Sequence, residues 1–87
     1  MPLFLIERQF SEVIELDAVG VRAIAEINGD LGVNWLYSFL SADRKKTYCL
    51  YEGPSAETIR EAARRNNLPA DAVIELAETL KPEAFLA

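Results

Sequence analysis

Apolar residues occupy both parities of the stretch Leu3 to Phe10, with Leu3 and Leu5 set against Phe4, Ile6 and Phe10. That pattern predicts a strand with apolar residues on both faces. Residues 11–16 form a connection. Asp17 then reads as a helix N-cap, its carboxylate able to accept from the orphan N–H groups of the first turn. Leu16 and Val21 stand at the positions of a hydrophobic staple. The helix carries an apolar stripe at Val21, Ile24, Ala25 and Leu31, with Asn28 at the one polar slot. Gly32 fits the left-handed position after such a helix. Gly20 and Gly29 weaken it by up to about 1 kcal/mol each relative to Ala, so packing must hold it.

The clearest strand is Val33 to Ser41, rich in aromatic and β-branched residues. Plain alternation puts Val33, Trp35, Tyr37 and Phe39 on one face and Leu36 and Leu40 on the other. A polar turn over 42–46 leads to a returning strand, Thr47 to Glu52, so the two form a hairpin. An odd loop sets Cys49 and Tyr51 beside Phe39 and Tyr37; an even one sets Leu50 and Glu52 there. A slip of one residue exchanges the faces. Ser55 is the expected N-cap of a second helix reaching Asn66, with Ala56, Ile59, Ala62 and Ala63 inward. Asn66 or Asn67 can take the left-handed cap, and Pro69 blocks continuation. Ala72 to Thr79 predicts a last strand, with a short helix as the competing reading. Pro82 ends that element, and the tail from Glu83 to Ala87 is too apolar for an idle terminus.

The order β-α-β-β-α-β predicts an α+β, ferredoxin-like sandwich: a four-stranded antiparallel sheet with both helices on one face. Residues 1–87 then form a single domain. Two helices cover only one face, although the strands are apolar on both. The bare face predicts a homodimer closing a dimeric α+β barrel.

Composition narrows the function. With 51% apolar and 26% charged residues, the chain is too apolar for intrinsic disorder. Nine basic against fourteen acidic residues give a net charge of −5, the wrong sign for a general nucleic-acid binder. No apolar run approaches membrane-spanning length, and the start lacks a basic signal region, so a cytoplasmic location is expected. One cysteine excludes an internal disulfide. The complete lack of histidine removes the commonest general base and transition-metal ligand.

Within this frame, Glu7 and Arg8 adjoin in the first strand and must point to opposite faces. One therefore enters the dimer cleft as a ligand contact, with Tyr51 or Glu75 as its companion, or makes a salt bridge there. Trp35 and Tyr37 are candidates for a pocket wall, against plain packing. Cys49 is a candidate thiolate ligand, against a small buried hydrophobe. The basic run Arg44, Lys45 and Lys46 and the helix arginines read mainly as solvated surface, with Glu57–Arg60 and Glu61–Arg65 at pairing distance along the helix.

The stretch from Trp35 through Ser55, carrying S-x-D-R-x-K-T-x-C-x-Y-x-x-P-S, followed by Asn67-Leu68-Pro69, resembles a family of small bacterial proteins. The opening Phe4 to Phe10 fits the same pattern. The family is mostly described as a domain of unknown function, and its best-described member is a nickel-binding actinobacterial protein. The resemblance implies a ferredoxin-like fold, a dimer closing an α+β barrel, and nickel or another divalent metal in at least one member. Relatives often carry a histidine near the positions of Ala62 or Ala63. Here a nickel site would need carboxylates, carbonyls, water or the Cys49 thiolate, a set better suited to Mg, Mn or Ca. No metal ligand is therefore carried over.

The expected function is that of a small dimeric binding protein holding a small ligand or metal ion in the cleft between two sheets. The alternative is a cofactor-light dimeric α+β barrel enzyme acting on a small hydrophobic or aromatic compound. Its acid–base groups would be Glu7, Arg8 and Tyr51, and the missing histidine counts against it.

Overall fold

A computed structural model describes residues 1–13 and 15–86. Ile14, within the expected connection, and Ala87, at the end of the apolar tail, lie outside the described residues. The elements run β1 (Leu3–Gln9), α1 (Ala18–Asp30), β2 (Asn34–Leu40), β3 (Lys46–Glu52), α2 (Ala56–Arg65), β4 (Ala72–Leu76) and α3 (Pro82–Leu86). The sheet order is β2-β3-β1-β4 with every pairing antiparallel, which is the ferredoxin-like arrangement. No helix among the described residues is long and apolar enough to cross a membrane.

Both main helices are closed by local chemistry. The Asp17 carboxylate accepts from the Gly20 N–H at 2.8 Å, and the Ser55 hydroxyl accepts from the Thr58 N–H at 3.1 Å. At the other end of α1, Gly32 takes φ 70°. Its N–H donates to Gly29 O, and the next N–H, of Val33, reaches back to Asn28 O. These two bonds define a Schellman motif. Asn67 repeats it after α2 at φ 56°, with its own N–H donating to Arg64 O and the Leu68 N–H to Ala63 O. The caps thus turn the chain sharply at Val33 and at Leu68, and so aim the start of β2 and the Leu68–Pro69 segment at the sheet.

The core lies between sheet and helices. Phe4 and Ile6 of β1, Cys49 and Tyr51 of β3, and Ile59 and Ala62 of α2 are buried together, with Val33 closing the cluster. Burial of each large apolar side chain contributes roughly 1.5–3 kcal/mol. α2 supplies a clean inner stripe of Ile59, Ala62 and Ala63. α1 buries only Ile24 and Asn28, and Val21 and Ala25 of the expected stripe remain exposed.

Two elements differ from the sequence expectation. The last strand stops at Leu76 instead of Thr79, well before Pro82, and Pro82 opens the short helix α3 instead of ending the strand. Proline suits a first helical turn, where its missing N–H has no partner to lose. α3 leaves Phe85 and Leu86 exposed.

The aromatic row of β2 is also corrected. Trp35 pairs with Tyr51, but Tyr37 pairs with Leu50, so Leu36 is an extra residue in a β-bulge. An inserted residue reverses the alternation beyond it. Trp35 therefore faces the helices, whereas Tyr37 and Phe39 face the open side of the sheet beside Leu50 and Tyr48. No continuous Trp35–Tyr37–Phe39 row exists.

Candidate functional site

The six residues singled out in the sequence divide between the two faces of the sheet. Glu7 and Tyr37 lie on the open face. Glu7 sits between Tyr48 and Ala72 on the neighbouring strands, and Tyr37 packs edge-on against Phe39 with ring centroids 5.5 Å apart. Arg8, Trp35, Cys49 and Tyr51 lie beneath the helices, away from any cleft between two sheets. The Leu36 bulge carries Trp35 there, and strand parity carries the other three. Tyr51 is thus a companion of Arg8 and not of Glu7, and Glu75, opposite Phe4 on β4, is exposed.

These four residues line one cavity of about 70 Å³. Trp35, Cys49 and Tyr51 form its sheet-side floor, Ile24 and Leu16 one wall, and Leu68 another. Phe10, Ser38 and Thr47 complete it towards the hairpin. The indole of Trp35 stacks on Tyr51 at 6.2 Å and donates to the Ser38 hydroxyl at 2.8 Å. The Cys49 thiol is buried and lies 3.5 Å from the Thr47 hydroxyl.

Arg8 is only 3% exposed. Its Nη1 donates to the Pro69 carbonyl at 2.6 Å, and Nη2 meets the Tyr51 hydroxyl at 3.4 Å. The guanidinium also sits 5.7 Å from the Tyr51 ring centroid, within cation–π range. The cap at Asn67 is what delivers Pro69 to this bond. Burial raises the pKa of Tyr51, with the nearby Arg8 charge opposing the shift. Tyr51 is therefore a neutral phenol at neutral pH, able to donate. Sequence reasoning missed Leu68 and Ile24 as cavity walls. Ile24 sat in the predicted inner stripe, but nothing along the chain showed that it would line a cavity.

Divalent metals find little in this donor set. Histidine is absent from the chain, and no group of three or more Cys, Asp or Glu among the described residues could hold an ion. Ala62 and Ala63, where relatives were expected to place a histidine, are packed into the core at 1% and 3% exposure.

A four-stranded antiparallel sheet with a cavity on its helix side and an open apolar face defines a small α+β protein of the ferredoxin-like class. The description "Nickel responsive protein SCO4226-like" matches residues 4–76, and the chain belongs to that SCO4226-like family. Among solved structures, SCO4226 from Streptomyces coelicolor A3(2) superposes with a TM-score of 0.77 at 24% identity, over 90% of this chain and 99% of that one. That likeness concerns the fold. No curated protein matches the chain.

Proposed function

We propose that this chain is a small-ligand-binding protein whose ligand enters the cavity between the sheet and α1, and which works as a homodimer through its open sheet face. The observation that carries the reading is the convergence of Arg8, Trp35, Cys49 and Tyr51 on one largely apolar hollow with a few polar groups at its base. That combination is typical of small-molecule sites. At about 70 Å³ the hollow suits a molecule of a few heavy atoms, or one end of a larger one.

This reading moves the ligand from the cleft between sheets to the helix side. It also disfavours the enzyme alternative. Glu7 is separated from Arg8 and Tyr51 by the thickness of the sheet, so the three cannot share a substrate. Arg8 offers a fork of N–H donors, and Tyr51 holds its proton more tightly than usual. Such groups orient a ligand and are poor proton acceptors.

The dimer rests on the open face, where Tyr37, Phe39 and Ile74 are 53%, 62% and 45% exposed. Glu7 and Lys46 bring opposite charges to that same face, which two-fold symmetry can pair across an interface. Nickel, which the family's description names, takes no part in the proposed site, because the donor set does not suit it.

The test uses the chain's one tryptophan. n-Butanol should shift Trp35 fluorescence and the amide signals of Thr47, Cys49 and Leu68. A cavity-filling Ser38→Leu variant should abolish both. Signals moving at Tyr37 and Phe39 instead would return the site to the open face.

A further inference from the structure

The cavity has more donors than acceptors. A guanidinium carries five N–H donors. For Arg8 the contacts are the Pro69 carbonyl and the Tyr51 hydroxyl, and no carboxylate among the described residues lies within salt-bridge distance of it. Among the described residues that line the cavity none is acidic. Both described ion pairs of the chain lie on the exposed side of α2, where Glu61 binds Arg64 and Arg65. Among the described residues Arg8 is the one deeply buried cation, and a chain with fourteen acidic residues leaves it without a counter-charge.

The groups around Arg8 extend this imbalance. Arg8 Nη2 approaches the Tyr51 oxygen, which leaves the hydroxyl's own proton to be donated elsewhere. The Asn28 Nδ2 is buried without an acceptor in hydrogen-bond reach, while its Oδ1 accepts from Asn66. Buried donors of this kind are normally satisfied, and a buried charge is normally paired. The counter-charge that Arg8 lacks is what an incoming anion would bring.

Resting on the cavity reading above, we infer that the ligand is a small monocarboxylate with a short apolar body. Its carboxylate sits against the Arg8 guanidinium and the Tyr51 hydroxyl, and its hydrocarbon part lies among Trp35, Ile24 and Leu68. A single guanidinium matches one negative charge and the fork of a carboxylate. A phosphate dianion would need further cations or a ring of backbone N–H groups from a helix N-terminus or glycine-rich loop, none of which lines this cavity. The apolar wall, in turn, rewards a hydrocarbon tail that a bare inorganic ion lacks.

Butyrate and butyramide differ chiefly in charge at the same size. Titrated into the unmodified protein at constant ionic strength and followed by Trp35 fluorescence, butyrate should bind at least about tenfold tighter than butyramide. Arg8→Met should bring the two to parity, and Tyr51→Phe, which keeps the ring, should narrow the gap several-fold. Equal binding of both compounds to the unmodified protein would overturn the carboxylate and leave the cavity reading standing. No response to either compound would overturn both. Inorganic phosphate binding more tightly than butyrate would replace the carboxylate by a different anion and overturn the inference as stated. Since the butyrate–butyramide comparison needs no variant, a folding failure of Arg8→Met leaves it decisive.

Discussion

The two faces of this sheet are built from alternate residues of the same strands, yet they obey different rules. On the covered face, Phe4, Ile6, Cys49 and Tyr51 are all but inaccessible, and the one charge among them, Arg8, is held by a backbone carbonyl and a phenol. On the open face, Tyr37 and Phe39 stand exposed beside Leu50 and Tyr48, with Glu7 in their midst. The residue types scarcely differ between the faces. What differs is the cover. A charge under the helices must find partners within the fold or recruit them from a ligand. A charge on the bare face keeps its water until something docks. One sheet therefore has a lined hollow on one side and an open apolar surface on the other.

The contrast breaks most sharply at matched phenylalanines. Phe4→Ala should cost about 3–5 kcal/mol in chemical denaturation, because Phe4 is fully buried and its removal leaves a cavity. Phe39→Ala, on a residue 62% exposed, should cost the isolated fold less than about 0.5 kcal/mol. Comparable losses at both sites would mean the faces are not as distinct as described.

A charge on the bare face probes its occupant. Phe39→Asp should convert a dimer to a folded monomer in sedimentation, with the far-ultraviolet circular dichroism unchanged. An unmodified protein that already sediments as a monomer at micromolar concentration would remove the proposed interface. A smaller effect belongs to the cap that aims β2 at the core. Gly32→Ala should destabilise by about 1 kcal/mol, since φ 70° suits glycine and strains a residue with a Cβ. Gly29→Ala, inside α1 with open space around it, should not share that loss.

Surface electrostatics on α2 come next. Hydrogen bonds from Arg64 and Arg65 lower the Glu61 pKa from 4.5 to about 2. A depressed carboxylate stabilises the fold above its ordinary pKa, and that contribution fades as pH falls from about 4.5 towards 2. Solvent exposure keeps it small. Following the Glu61 carboxyl by nuclear magnetic resonance should give a midpoint well under 4.5, and a midpoint at the ordinary value would show the pairs to be absent in solution. The smallest expected effect is none: chelator-treated protein should melt at the same temperature with and without excess nickel. A clear upward shift would reveal a metal site assembled by means other than the described cluster chemistry, because tight binding to the native state must stabilise it.

Much of this fold was legible along the chain. Asp17, Gly32, Ser55 and Asn67 each act through bonds of a few neighbouring residues, so caps and element order follow from local sequence. The opposite orientations of Glu7 and Arg8 followed from the period of a strand alone. The paired helix faces were less legible: α2 buries its predicted stripe, but α1 loses Val21 and Ala25 to solvent because its docking angle depends on the whole sheet.

The candidate site was readable as a set of residues and unreadable as a place. Arg8, Trp35, Cys49 and Tyr51 stood out by chemistry. That they meet under the helices depends on one extra residue at Leu36, which no alternation pattern marks, and on hairpin pairing between strands whose two faces are equally apolar. Local propensity is blind to a one-residue shift when both registers bury hydrocarbon equally well. Only the packed sheet, with helices over one side, makes the registers unequal in free energy. The chain by itself therefore determined the elements, their ends and their order, while tertiary packing decided which chemistry went inside.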